Sequence, residues 1–431
     1  MDKLAIFGGP PVRTKPFPRH ITTGSEEKKI VNEVMDEGIL SEFIGSNNEF
    51  FYGGKYVRAF EEKWAAQFGV KHVVSVNSAT SGLFAAIGAA GVGPGDEVIV
   101  PPWTMTATAT AILSFNAIPV FCDIDEETFC MSPSSVERLI THRTKALMPV
   151  HIYGHPADMD PIMELAKNND LIVIEDAAQS PGGYYKGKLT GTIGHMGVFS
   201  FNCNKIIQCG EGGAVTTNSD DLAKRLQLIR NHGEAVIATG MEVKDMFNII
   251  GWNYRMNEIE AGIMIAQMDK LNHLLEQRKE LAEYISQRLK TIDGLLLPVI
   301  KENCTHTFYR YTIRLDQEKI KVPASVLARA LNAEGIPFNA DYIPLNLYPI
   351  YQKRIGYGNK GCPFTCMYYN GKPDYSMNNL PITGKMVQTS LSTEAIRPPQ
   401  TFEDMDQIIE AFKKVFSQLK QLKSLGGSGY V

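Results

Sequence analysis

The chain has 431 residues, too many for one ordinary hydrophobic core, so a large domain with a smaller partner is expected. Its 44% hydrophobic and 21% charged residues fit a globular protein, and a net charge of -4 leaves no basic footprint for nucleic acid, which turns attention to small molecules. No apolar run approaches the ~20 residues that span a bilayer, and the N-terminus lacks the layout of a secretion signal, so the cytoplasm is the expected location.

An N-terminal arm is expected over 1–24, followed by a large domain over 25–275. From 73 to 217 the sequence repeats one beat, a short β-branched run, a turn, then a stretch with helical periodicity, as in βαβ units. Strands are expected at 73–76, 97–100, 119–123, 146–151, 171–175, 197–201 and 213–216. Several are apolar on both faces, which implies an α/β fold with a mostly parallel, buried, seven-stranded sheet. Helices are expected between them at 81–90, 107–115, 134–140 and 161–167, with Asp158 and Asp160 as caps for the last. Beyond 219, an amphipathic helix covers 221–230, and a long helical stretch at 258–290 is suited to linking two domains.

The remainder, 276–425, reads as a smaller α+β domain. It holds a strand at 307–314, a helix at 323–334, an irregular Gly-, Pro- and Tyr-rich passage at 345–381 and a final helix at 402–422, before a frayed tail at 426–431. The irregular passage is longer than a compact domain tolerates without purpose, and is expected to cover a site or an interface. Seven cysteines, an odd and scattered set, argue against a disulfide framework. Cys362 and Cys366 have a spacing loosely compatible with metal, yet no second Cys or His pair stands nearby, so no metal is expected.

Residues 171–179 read LIVIEDAAQ, an apolar run and then acids and small residues where an open α/β sheet presents its ligand edge, which puts Asp176 there. Lys205 follows inside FSFNCNKIIQCGEGG, where a strand ends and a Gly-rich turn lets backbone pass close to a ligand. Pyridoxal phosphate chemistry needs such a pair. A lysine forms the Schiff base and then serves as a mobile base, while an acid keeps the pyridine nitrogen protonated as an electron sink. Ser78-Ala79-Thr80-Ser81, between a strand and a helix, offers free N–H groups and a helix dipole to the phosphate, and Ser200 adds a hydroxyl. Singly, each feature has a plainer reading: a solvated lysine, a capping acid, an ordinary hairpin turn. Their joint order along one doubly wound pattern favours the site.

At these residues the sequence resembles the DegT/DnrJ/EryC1/StrS family of sugar aminotransferases, whose fold is aspartate aminotransferase-like, or fold type I. The likeness covers nearly the whole chain. VNSATSGL is similar to the family's phosphate turn, GDEVIVPPWTMTATA to its cofactor-facing segment, IEDAAQS to its pyridine-nitrogen motif and FSFNCNKIIQCGEGG to its Schiff-base motif. The resemblance implies Lys205 as the Schiff-base lysine, Asp176 as partner of the pyridine nitrogen and Gln179 as contact to the ring hydroxyl. It implies Ser200 and the amides of Ala79 and Thr80 as phosphate ligands.

Met105 stands where many members place an aromatic ring over the pyridoxal, so a thioether, or Trp103, would cover that face. GWNYRMNEIEA resembles the NYRM segment whose asparagine reaches the neighbouring subunit's phosphate, so Asn253 implies a homodimer with shared active sites. Arg230 and His232 match the RNHG loop near the substrate, and YIPLNLYP nominates Tyr342 on the substrate side. Asn202 and Asn346 stand where histidine is common in the family, which leaves the substrate open.

The reading that follows is amino transfer from L-glutamate or L-glutamine to a keto-sugar, because the family's dehydratase branch replaces the lysine with histidine. A nucleotide-linked sugar ranks ahead of a free cyclitol ketone of inosose type, which the opening LAIFGGPPVR also resembles. The insertion SEFIGSNNEFFYGG suits either pocket, and Lys55, Arg58, Arg230 or Lys353 would meet a nucleotide diphosphate. A pyridoxal-binding regulator is the reading from another class. Such proteins usually carry a DNA-reading domain, and nothing in this chain looks like a helix-turn-helix or carries a basic balance.

Overall fold

The computed structural model describes residues 3–235, 241, 243–244, 247–340 and 342–426. In chain order the strands are β1 (His72–Val76), β2 (Glu97–Val100), β3 (Ile118–Phe121), β4 (Thr144–Leu147) and β5 (Ile172–Asp176). A two-strand hairpin, β6 (Tyr184–Tyr185) and β7 (Lys188–Leu189), precedes β8 (Met196–Ser200) and β9 (Gly213–Thr217). The seven long strands form one sheet in the order β1-β9-β8-β5-β4-β2-β3. β9 runs antiparallel to both its neighbours, and the other six strands are parallel to one another.

All seven expected strands are present, and two end early, the one expected at 119–123 stopping at Phe121. The run expected to reach 151 stops at Leu147, since Pro149 has no N–H to give the ladder.

Consecutive strand residues enter different cores, as the two-residue period requires. Ile174, Val198 and Val215 join Leu83, Ile112 and Leu226 from the helices Ala79–Ala89, Thr106–Ser114 and Asp220–Arg230. Ile99, Leu147 and Val173 pack on Ile162 and Ala166 of the helix Met159–Asn168. Phe199 and Ala214 pack on the helix Lys55–Phe68 and on the first half of the long helix Glu258–Leu289. Both faces of the sheet are therefore covered, as parallel strands demand.

The second half of the long helix, Leu281 to Leu289, enters a separate core. That core lies around the antiparallel strands β10 (Leu295–Leu296), β11 (Tyr311–Leu315) and β12 (Ser390–Thr393) and the helices Ala324–Ala333 and Phe402–Phe416.

Several elements depart from expectation. The strand expected from 307 starts only at Tyr311, because Phe308 takes φ 49° and turns the chain. The final helix breaks after Phe416 and resumes at Leu419–Leu422. Asp158 precedes the helix Met159–Asn168 without a side-chain cap bond, its carboxylate taking the Tyr185 hydroxyl at 2.6 Å instead. The irregular 345–381 passage covers the sheet edge. Tyr375 donates its hydroxyl to the Pro119 carbonyl at 2.9 Å, and Tyr369 donates to buried Glu97 at 2.8 Å. The tail beyond Gly426 lies outside the described residues.

Among the described residues, no helix is long and apolar enough to cross a membrane, and no group of three His, Cys, Asp or Glu is arranged to hold a metal.

The helix Lys55–Phe68 was not anticipated, although Phe60, Trp64 and Phe68 repeat every four residues and Gly69 closes it in the left-handed region at φ 65°. Trp64 stacks on Phe68 at 4.3 Å and meets Phe199 and Phe201 edge-on at 5.1 and 5.0 Å. It is fully buried. Trp64→Ala is expected to destabilise the fold by about 3–5 kcal/mol, measured as the fall in unfolding free energy by urea titration.

Candidate active site

Three strand ends meet at one level. Val76 pairs with Gly213, and Gly213 pairs with Ser200. Leaving β1, the chain passes Asn77 and Ser78 directly into the helix Ala79–Ala89, where the Ser78 hydroxyl caps the N–H of Ser81 at 3.1 Å. The first-turn N–H groups of Ala79 and Thr80 have no acceptor within the helix, so this end is an anion seat. A Cβ on Gly213 would lie 2.6 Å from the Ala79 nitrogen and 2.7 Å from the Ser78 carbonyl carbon. Glycine at 213 is what lets the turn rest against β9, directly beside its pairing partner Ser200.

Asp176 ends β5, buried at 5% exposure. Its carboxylate accepts the Thr108 hydroxyl at 2.8 Å and the N–H of Ala178 at 3.1 Å, and Thr108 is itself 2.9 Å from the Thr104 hydroxyl. Gln179 follows, its side-chain carbonyl accepting the N–H of Tyr153 at 2.7 Å. That bond helps hold Tyr153 at φ 59°, a left-handed conformation unfavourable for a bulky residue.

The Tyr153 hydroxyl accepts the Trp103 indole N–H at 2.8 Å, and Tyr342 stacks on Trp103 at 4.4 Å with 14° between planes. Burial, then the Tyr153 phenol, pushes the Tyr342 hydroxyl well above the usual tyrosine range, with the Asp176 carboxylate acting in the same direction. Tyr342 thus lies within the field of Asp176.

Lys205 sits in the connection from β8 to β9, closed by Phe201 N–H to Gly212, Cys209 N–H to Phe201 and Cys203 N–H to Gly210. Its backbone N–H donates to Asn202 at 2.8 Å, and its amine rests 4.6 Å from the centroid of the Tyr309 ring. Among the described residues no carboxylate lies within ion-pair distance of that amine. Met105 starts the helix that carries Thr108. It is 62% exposed, its sulfur accepting the Ala107 N–H at 3.1 Å.

Asn253 lies beside the same turn through its backbone, its carbonyl accepting the Asn77 amide at 3.3 Å while the Asn77 N–H goes to Tyr254 at 2.8 Å. The Asn253 side chain is exposed and takes Arg255 at 2.9 Å.

Arg230, expected near the substrate, is buried. Its guanidinium is 0% exposed, binds Glu61 at 2.6 Å and lies 4.7 Å over the Phe43 ring, while Asn231 holds the carbonyls of Ile44 and Phe51. The pair clamps the 41–54 segment to the sheet. His232, exposed at φ 62°, hangs its N–H on Trp252 at 3.1 Å. Lys55 is engaged by Glu37 at 2.5 Å.

Sequence reasoning missed Thr108, Tyr153 and Tyr309. Thr104 and Thr108 at helical spacing beside an acidic strand end were a readable signal. Tyr153 and Tyr309 carry none, being set by backbone geometry around Gly154 and Phe308.

A mostly parallel sheet whose strand ends gather an acid, an unpaired amine and an anion seat defines an α/β enzyme of the type I aminotransferase class. Residues 34–395 match the model of the DegT/DnrJ/EryC1/StrS aminotransferase family, and the chain belongs to that family. It is 40% identical over 299 residues to GDP-perosamine synthase of Caulobacter vibrioides, covering 69% of this chain and 79% of that protein. It is 31% identical over 433 residues to L-glutamine:scyllo-inosose aminotransferase of Streptomyces griseus, covering 98% and 99%. The structure of S. venezuelae DesV in complex with a ketimine intermediate matches at TM-score 0.76 and 30% identity, covering 91% of this chain and 95% of that one.

Because the atoms opposite Gly213 are backbone, Gly213→Ala is expected to cost about 1–3 kcal/mol of stability. Thermal unfolding followed by circular dichroism checks it, and an unchanged midpoint would mean the turn moves freely.

Proposed function

We propose that this chain is a pyridoxal phosphate-dependent aminotransferase that moves the amino group of L-glutamate or L-glutamine onto the keto group of a nucleotide-linked sugar. The observation that carries the reading is the unpaired Lys205 amine, at the sheet edge that also bears Asp176 and the helix start at Ala79. The site fits the cofactor in its own chemistry, with an anion seat, a buried acid already oriented by two donors, and an amine that no carboxylate among the described residues neutralises.

In this reading Ala79, Thr80 and Ser200 hold the phosphate. Asp176, fixed by Thr108 and Ala178, keeps the proton on the ring nitrogen. Gln179 reaches the ring hydroxyl, and Met105 covers one ring face. Bound there, the cofactor supplies an electron sink through which an amino group is taken up and given back. Lys205 would hold the cofactor at its carbonyl carbon, and its amine would be the group placed to move a proton at the donor's α-carbon. Tyr342, backed by Trp103, walls the substrate side, and His232 borders it. The Asn253 side chain is exposed, held only by its neighbour Arg255, and its reach toward a second copy supports a homodimer with shared sites.

The 40% identity to GDP-perosamine synthase supports a nucleotide-linked acceptor. A cyclitol ketone is the second reading, favoured by the end-to-end match to the scyllo-inosose enzyme. Thermal stabilisation by UDP, GDP or dTDP separates them, since a nucleotide bound to the folded state must raise the unfolding midpoint. No shift with any of the three favours the cyclitol.

Wild-type holoenzyme mixed with L-glutamate or L-glutamine is expected to lose its pyridoxal absorbance in favour of the pyridoxamine form, and no change with either donor overturns the reading. Lys205→Ala is expected to abolish this conversion while retaining the fold. Asp176→Asn is expected to slow it by about 100-fold or more, the scale of a lost charge-stabilising group.

A further inference from the structure

Residues 307–310 lead into β11 of the smaller core, yet they are fastened to loops of the candidate active site. Thr307 donates its N–H to the Gly154 carbonyl at 2.9 Å and its hydroxyl to the Gln179 carbonyl at 3.0 Å. The Arg310 N–H donates to the Tyr153 carbonyl at 3.2 Å. Between these anchors Phe308 takes φ 49°, with its own N–H on His306 Nδ1 at 2.8 Å and the Arg278 guanidinium on its carbonyl at 3.0 Å. A left-handed conformation at a bulky residue persists only where its surroundings over-determine it. Gly154, at φ 102°, makes the approach possible, since a Cβ there would overlap the Thr307 hydroxyl oxygen and lie 3.1 Å from the Tyr309 nitrogen.

What this fastening delivers to the site is one aromatic ring. Tyr309 is 7% exposed and shares a core with Phe201, Ile206 and Met256, and the Lys205 amine lies over its face, 4.6 Å from the centroid. Among the described residues no carboxylate holds that amine. An aromatic face attracts an ammonium group electrostatically but takes neither its proton nor its charge. A lysine on a flexible four-carbon stem with no such partner would spread over many rotamers. The ring therefore restrains the amine and leaves it able to react.

We propose that Tyr309 is a positioning residue for Lys205, its ring face holding the amine whenever that amine is not bonded to the cofactor. The proposal rests on the aminotransferase reading above and adds what restrains the lysine after its release. A ring that attracts the free amine stabilises the state in which the amine is free. Tyr309 thus biases the balance between the pyridoxal and pyridoxamine forms toward the pyridoxamine form.

Two measurements on wild type, Tyr309→Phe and Tyr309→Leu test this. The first is nuclear magnetic resonance of the holoenzyme in its pyridoxamine form, with lysine labelled at the ε-carbon and the Lys205 signal assigned by its loss in Lys205→Arg. The Lys205 ε-protons are expected upfield of those of exposed lysines in wild type and Tyr309→Phe, where a ring face shields them, and not in Tyr309→Leu. The second is the ratio of amino donor to its own keto acid at which half the pyridoxal absorbance is lost, using whichever of L-glutamate and L-glutamine converts wild type. Tyr309→Leu is expected to need a ratio about 3- to 30-fold higher, the span of a lost cation–π contact, and Tyr309→Phe to stay within about 2-fold of wild type.

A wild-type signal without the upfield shift, or an unchanged ratio in Tyr309→Leu, overturns the proposal. So does a Tyr309→Phe as impaired as Tyr309→Leu, because the hydroxyl and not the ring face is then at work. Should Tyr309→Leu fail to fold, 3,4,5-trifluorophenylalanine placed at 309 keeps the ring's shape while depleting its negative face. A ratio higher than that of Tyr309→Phe is expected there, and an equal one overturns the role. A wild type that no amino acid converts sinks the aminotransferase reading and this role with it, whereas conversion that no change at 309 alters sinks the role alone.

Discussion

The absence of a side chain at Gly213 is the constraint on which the site depends. Within the seven-stranded sheet β9 runs against both its neighbours, and it lies between β1 and β8. Its first residue therefore meets the last residues of both. At that crossing the backbone of the Ser78–Ala79 turn presses within a distance that no Cβ allows. A helix start with free N–H groups is brought beside a strand-end hydroxyl, although the two come from segments more than a hundred residues apart. Neither Ala79 nor Ser200 is unusual alone. The register of one antiparallel strand makes them neighbours.

A second layer of order surrounds Asp176. Its carboxylate is aimed by a threonine from a helix and an amide from its own turn, and the turn is tied through Gln179 to a tyrosine in a left-handed conformation. The tyrosine in turn fixes Trp103, and Trp103 carries Tyr342 from the far part of the chain. Each link is a single hydrogen bond or stack, worth about 1 kcal/mol net. Their value lies in removing rotamer freedom from groups that must meet a ligand in one geometry.

The parts legible in the sequence are those governed by local patterning. Alternation and apolar runs locate the seven strands because both faces of a parallel sheet are buried. The acid at 176 and the lysine at 205 stand out because strand ends and glycine-rich turns mark the ligand edge. What escaped reading depends on contacts distant in sequence. Arg230 illustrates this. Beside a substrate-loop motif it reads as a cation awaiting a ligand, but Glu61, from a helix that sequence inspection had not identified, claims its guanidinium. Tyr309 was equally hidden, since it falls where a regular strand was expected and the backbone instead turns at Phe308.

The two irregular segments bear on how the acceptor is chosen. Both are built into the packing. Residues 41–54 are clamped by Arg230 and Asn231, with Phe43 and Phe51 buried, and the 345–381 passage seals the β3 edge through Tyr369 and Tyr375. Segments held by buried aromatic rings and ion pairs are poor candidates for lids, because opening them would expose apolar area and strand a guanidinium. Under the proposed function, selection among keto substrates falls to Met105, His232 and the Trp103-backed Tyr342, all of which keep some open surface. These offer one thioether, one imidazole and one phenol. Under that proposal, such a wall recognises hydroxyl-bearing rings by stacking and hydrogen bonding rather than by charge. A diphosphate, if the acceptor carries one, has to be met outside it.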